Sequence, residues 1–205
     1  MKIERLSISN FRGIASAVIS DAGNTIIIAG QNGSGKSCVF DAIRLLKSVY
    51  GGYHQNEMQS WFGEFQVNPN SRSDELKGMF NNPRSPVVID CSFKLRDAEK
   101  NFISDNAPSL LEDTIWQTLL PEAYQWGGYR MAMFAAQFRE RQPEVTAQVA
   151  AQLPDLLRDL RRDTVASRVA MQPGGKLQLR TSRLLSVIFS NYRPQDLGVI
   201  DYHGA

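Results

Sequence analysis

Eight consecutive residues, Gly30-Gln31-Asn32-Gly33-Ser34-Gly35-Lys36-Ser37, have the spacing GxxxxGK[ST], and each fixed position has a chemical reason. Glycines let a backbone wrap closely around a polyphosphate and take positive φ where needed. Successive N–H groups then point inward as an anion nest. A helix starting near Gly35 adds its positive dipole end. Lys36 brings a mobile cation to the β- and γ-phosphates. Ser37 offers a hydroxyl to Mg2+, which keeps several waters and bridges phosphate oxygens. The loop implies a nucleoside triphosphate with Mg2+ and leaves the base, and the use made of the energy, open.

Such a loop needs a strand before it and a helix after it. Thr25-Ile26-Ile27-Ile28-Ala29 is short, continuous, apolar and β-branched, the pattern of a central strand buried on both faces. After Lys36 the period changes. Val39, Phe40, Ile43, Leu46 and Val49 recur at helical spacing until Gly51-Gly52. Upstream, Ile3, Leu6, Ile8 and Phe11 among polar neighbours predict a half-buried strand, and Ala17 to Ser20 a second short one, before the turn signal Asp21-Ala22-Gly23-Asn24.

Downstream, Tyr53 to Pro86 is rich in Asn, Ser, Gly and Pro, which predicts a long, mobile surface insertion. Val87, Ile89, Cys91, Phe93 and Leu95 alternate as in a strand with two unlike faces. Asp97 to Met171 reads as mainly helical, broken at Pro108, Pro121, Pro143, Pro154 and Gly127-Gly128. Lys176 to Arg180 and Leu197 to Tyr202 read as strands. The expected organisation is therefore a phosphate-loop lobe over 1–96 with a polar insertion at 53–86, a helical insertion or arm over 97–171, and returning strands over 172–205.

Bulk properties narrow the class only a little. With 205 residues the chain can bury a real core. Its net charge of +2 argues neither for nor against nucleic acid. Cys38 and Cys91 form no CxxC pair, so neither a zinc site nor a disulfide framework is implied. The N-terminus has no signal-peptide core, and no stretch has the length of an apolar span, so a cytoplasmic protein without a membrane partner is expected. His54 and His203 lack ligand-spaced partners. Trp61, Trp116 and Trp126 suit packing. Arg158 to Arg168 alternate with Asp155, Asp159 and Asp163, as on a solvated, salt-bridged helix.

Two features together carry a resemblance. The loop interior reads GQNGSGKS, and within the first dozen residues stands Leu6-Ser7-Ile8-Ser9-Asn10-Phe11-Arg12-Gly13. This pairing resembles the SMC/Rad50/RecF/OLD family, whose members open with a strand L-x-I-x-N-F-R, a second strand and then hhhxGxNGxGKS. The match covers about the first fifty residues. It implies an α/β fold, the P-loop NTPase core that forms lobe one of an ABC-type head, with antiparallel side strands and a helical insertion. It implies ATP as the nucleotide, held by Gly30, Asn32, Gly33, Ser34, Gly35, Lys36 and Ser37, with Ser37 also on Mg2+. Asn10, Phe11 and Arg12 match the N-terminal signature, and the family's arginine lies beside the phosphates, so Arg12 is a candidate nucleotide contact.

The resemblance also implies parts that are not visible. No LSGG-like stretch and no apolar run followed by Asp-Glu occurs. Asp90 is followed by Cys91 and Asp201 by Tyr202. Gln172, Gln178 and Gln195 are equal candidates for a Q-loop glutamine. In the family the two lobes are far apart in sequence, so a chain that holds lobe one and part of an insertion is expected here, completed by a second lobe and a second ATPase head. DNA or a nuclease effector is the implied partner, in DNA repair or phage defence. Two other readings stay open: a self-contained small P-loop kinase or NTPase, with Asp201 or Asp90 holding Mg2+, and a non-hydrolysing interaction module that uses nucleotide as a structural ligand.

Overall fold

A computed structural model describes residues 1–21, 25–50, 57–67, 75–124, 132–174, 177–180 and 182–192. The chain divides into two compact units, Met1–Arg96 with Asp163–Ala205, and Asp97–Arg162.

The first unit is built on a five-stranded antiparallel sheet of order β2-β1-β3-β4-β5, formed by β1 (Lys2–Phe11), β2 (Ile14–Ser20), β3 (Val87–Lys94), β4 (Thr164–Met171) and β5 (Leu177–Arg180). Period-2 alternation sends one set of side chains inward: Leu6 and Ile8 on β1, Val87, Ile89, Cys91 and Phe93 on β3, and Val165, Val169 and Met171 on β4 are all buried. Helices α1 (Lys36–Tyr50) and α6 (Arg183–Asn191) belong to the same unit, with the shorter α2 (Glu57–Glu64). Phe189 of α6 meets Phe93 edge-on, with ring centroids 5.7 Å apart. On the opposite phase of the alternation, Asp90 of β3 lies 3.6 Å from Arg168 of β4, its register partner. This cross-strand pair accounts for Asp90 without a metal.

The second unit is a helical hairpin of α3 (Asp97–Leu119), the short α4 (Pro121–Tyr124) and α5 (Ala135–Leu160). Ile115, Trp116, Leu120, Ala123 and Val145 form its own buried cluster, with Phe138 set edge-on to Trp116 at 4.7 Å. Along α5, Arg158 and Arg162 pair with Asp155 and Asp159 at i,i+3 spacing. Among the described residues no helix is long and apolar enough to cross a membrane.

Several expectations are corrected. Thr25–Ala29 is not a strand: no ladder pairs it among the described residues, and Ile27 is 87% and Ile26 43% exposed. A β-branched apolar run encodes a buried strand only where neighbours exist to bond and cover it. The segment 53–86 is not a featureless insertion. It contains α2 (Glu57–Glu64), in which Trp61 and Phe62 are fully buried, and Val67 and Met79 are buried as well. Three or four large apolar side chains suffice to dock a polar segment, since each burial stabilises by roughly 1.5–3 kcal/mol. At its end, Gln66 takes φ 55°, its N–H reaches the Gly63 carbonyl and the Val67 N–H reaches the Phe62 carbonyl, a Schellman closure with glutamine at the usual glycine position.

The helical stretch also stops earlier than expected, because Thr164–Met171 alternates as β4 rather than continuing to Met171 as helix. Pro108, Pro143 and Pro154 lie inside continuous helices. Each removes one backbone hydrogen bond, and the buried neighbours Ala107, Leu110, Val145 and Leu156 hold the helices together across them. Within the stretch 172–205 expected to hold returning strands, Arg183–Asn191 is the helix α6, because Leu184, Leu185, Val187, Ile188 and Phe189 are buried at helical spacing. Gly51-Gly52, His54, Trp126, Gly127-Gly128, Gln195, Leu197 to Tyr202 with Asp201, and His203 lie outside the described residues.

If α2 is core, Phe62→Ala costs roughly 3–5 kcal/mol, measured by denaturant unfolding. Amide exchange over residues 57–65 is then slow, and fast exchange there with little loss of stability would contradict the packing.

Candidate functional site

The loop Gly30–Ser37 leads straight into the first turn of α1. Gly33 and Gly35 take φ 84° and 85°, the left-handed region that glycine reaches without strain. The Ser34 N–H donates to the Gln31 carbonyl (3.2 Å) and the Cys38 N–H to the Gly35 carbonyl (3.0 Å), which starts the helix. The Lys36 ammonium folds back over the loop and donates to the carbonyls of Gly30 and Gln31, both at 2.7 Å. Gly30 to Ser34 and Ser37 are exposed. A Cβ on Gly30 would sit 2.8 Å from the Ser34 hydroxyl, so Gly30 is the position over which Ser34 closes.

The β1–β2 turn abuts this loop. A Cβ on Gly35 would lie 3.3 Å from both the Gly13 carbonyl oxygen and Ile14 Cγ1, and one on Gly13 would lie 3.5 Å from Gly35 Cα and from Cys38 Sγ. A pocket of about 240 Å³ runs from Ser34, Gly35 and Lys36 past Val39 to Gly13–Ala17 and Ile28–Ala29.

Why the chain turns here can be traced to Asn10. This residue is buried, with φ 57°. Its side-chain amide donates to the carbonyls of Asn82 (2.9 Å) and Ser85 (2.6 Å), and its side-chain oxygen accepts from the Asn82 N–H (2.6 Å). Phe11 is completely buried and stacks on Trp61 at 6.4 Å. Asn10 and Phe11, two of the three signature residues, are thus structural. Arg12 follows with φ 49°, unusual for a residue with a side chain. Its backbone is held at both ends, the N–H by the Met79 carbonyl (2.9 Å) and the carbonyl by the Asn81 side chain (2.9 Å). Its guanidinium lies 4.2 Å above the Phe65 ring and pairs with Asp41 of α1 at 2.6 Å.

Asp41, Phe65 and the clamp of Asn81 and Asn82 escape a sequence reading. They stand 29 to 72 positions from their partners, and only the helical spacing from Ser37 to Asp41 hints that Asp41 lies on the loop's helix. Burial pushes the Asp41 carboxyl above its ordinary range, countered in part by Arg12 and then Arg44, while Glu64 adds to the rise. Cys91, in the sheet core, is pushed up to about 12 by burial and is inert as a thiolate source. Gln172 and Gln178 are exposed, and no described contact ties them to the loop.

The glycine geometry orders two substitutions. Gly33→Ala meets no atom within 4 Å and carries only backbone strain of about 1–2 kcal/mol. Gly35→Ala adds the contacts with Gly13 and Ile14, so it destabilises more, on the order of 2–4 kcal/mol. Urea unfolding of the two variants checks the order, and an equal or reversed loss counts against the close approach.

No curated protein and no solved structure matches the chain at significance. Residues 1–155 match the AAA ATPase domain, a P-loop ATPase family related to SMC-, Rad50- and OLD-type ATPases. With most of its length inside that match, the chain belongs to the AAA ATPase domain family.

Proposed function

We propose that this chain is the ATP-binding lobe of an ABC-type head, as in the SMC, RecF and OLD ATPases, and that it binds Mg-ATP at Gly30–Ser37. One observation carries the reading: a glycine loop with two positive-φ glycines feeds a 15-residue helix while the Lys36 ammonium lies across the loop's own carbonyls. The donor set suits a polyphosphate. Backbone N–H groups of the loop and of the first turn of α1 can donate to the anion's oxygens, and Lys36 can exchange a carbonyl for a phosphate oxygen. Ser37 would hold Mg2+, which when bound neutralises charge developing between the β- and γ-oxygens.

A second feature supports completion by another lobe. Among the described residues no strand pairs Thr25–Ala29, immediately before the loop; Ile26 and Ile27 are exposed there, and Phe40 on α1 is 46% exposed. Strands and a covering surface supplied by a second lobe would bury them. Phosphoryl transfer needs a group to orient water, and no Asp-Glu pair follows an apolar run in this chain. We therefore assign hydrolysis to the completed head dimer, with DNA repair or phage defence as its setting. Asp90, engaged with Arg168 in the sheet, lends no support to a self-contained kinase.

Lys36→Ala is expected to weaken Mg-ATP binding by about 100-fold or more with a stability loss below about 1 kcal/mol. Calorimetric titration beside a thermal melt checks both. Unchanged affinity in a folded variant removes the assignment. The isolated chain is expected to turn over far below one ATP per second, and turnover at ordinary enzyme rates across a concentration series would replace the half-head reading with that of a self-sufficient NTPase.

A further inference from the structure

Beside the loop, four charged residues from three elements are sorted into two pairs. Arg12, on the turn that touches Gly35, gives one N–H to Asp41 at 2.6 Å. Arg44 gives two, to both oxygens of Glu64 on α2, at 2.6 and 2.9 Å. Asp41 and Arg44 are three residues apart on α1 and so share a face of that helix. Asp41 therefore has two cations near it, Arg12 in direct contact and Arg44 one turn along α1, whose guanidinium is forked onto Glu64. Bidentate arginine–carboxylate pairs are the geometrically specific ones.

The Arg12 guanidinium is left in a particular state. Its face rests on Phe65 and one Nη1–H is fixed, while among the described residues Nε and Nη2 donate to nothing. The side chain keeps 28% of its surface exposed, against 14% for Asp41. A cation held by its face and by one donor, with a fork of donors still open, is a preformed oxyanion receptor: the entropy of placing it is already spent. The strained backbone of Arg12 fits this, since a positive φ on a non-glycine residue persists only where the surroundings hold it.

We propose that Asp41 and Glu64 are positioning residues for Arg12. Asp41 holds the guanidinium, with its open donors ready for a phosphate oxygen of nucleotide bound in the loop, and Glu64 acts at one remove by keeping Arg44 off Asp41. The proposal rests on the Mg-ATP reading above and adds to it a route by which α2 affects nucleotide affinity. A purely mechanical staple between α1 and α2 would predict lower stability without any coupling to Arg12.

The test is calorimetric titration of Mg-ATP into the full chain, each variant confirmed as folded by circular dichroism. Arg12→Gly is the reference because glycine accepts the backbone angle, and it should weaken binding roughly 10-fold. Asp41→Asn should weaken binding several-fold in the native background and less than about 2-fold in the Arg12→Gly background, as expected of a residue acting through another. Glu64→Gln should weaken binding several-fold, and Arg44→Gln added to it should restore the affinity. Equal effects of Asp41→Asn in both backgrounds, or no rescue by Arg44→Gln, overturn the proposal; the rescue pair decides it alone if Asp41→Asn does not fold. Lys36→Ala is the control. Binding that depends on Lys36 but is indifferent to Asp41 and Glu64 overturns only this proposal, whereas no Mg-ATP binding by the native chain overturns both.

Discussion

The contact between Gly13 and Gly35 is the constraint on which the rest of the first unit depends. A backbone turn is pressed against the base of the phosphate-type loop so closely that a methyl group on Gly35 would touch the Gly13 carbonyl and Ile14. Glycine is required at position 35 twice over, by space and by a φ of 85°. The contact couples the end of the antiparallel sheet to the start of α1, so the position of the loop is set by where β1 ends, and β1 in turn is fixed by its ladders to β2 and β3.

Holding a turn in that place is costly. Asn10 and Arg12 both sit at positive φ, at about 1–2 kcal/mol each. Three kinds of interaction offset this. Buried hydrogen bonds from Asn10 seize the loop Asn82–Ser85. Phe11 is buried completely against Trp61, which also packs on Phe62 and Phe65. The charged tip of Arg12 finds both an aromatic face and a carboxylate. The segment after α1 thereby becomes part of the site, since Phe65, just after α2, lies beneath the Arg12 guanidinium and Trp61 of α2 packs on Phe11 and Phe65.

The second unit carries a hydrophobic core of its own, centred on Trp116, Leu120 and Val145, and its long helices run through three prolines. A helical hairpin with a separate core can be inserted between β3 and β4 because those two strands pair directly, Lys94 with Thr164 at the end where the hairpin leaves and returns. The β3–β4 ladder thus runs unbroken up to the point where the hairpin is inserted.

From the sequence alone the loop, its following helix, the strand β1 and the strand β3 were legible, because each rests on local chemistry: glycine spacing, a 3.6-residue period, or strict alternation over a few residues. Arg12 was singled out only through the pairing of two motifs. The partners of Arg12 were not, since Asp41, Phe65 and Asn81 carry no pattern of their own and acquire meaning by meeting a turn tens of residues away. The polar composition of 53–86 hid the core residues of α2, because a few large side chains dominate burial while many small polar ones dominate composition. Thr25–Ala29 failed in the opposite sense: its residues have every property of a buried strand, but a strand is a relation between segments. Tertiary structure alone decides whether a neighbour is present to bond it, and among the described residues none pairs with it.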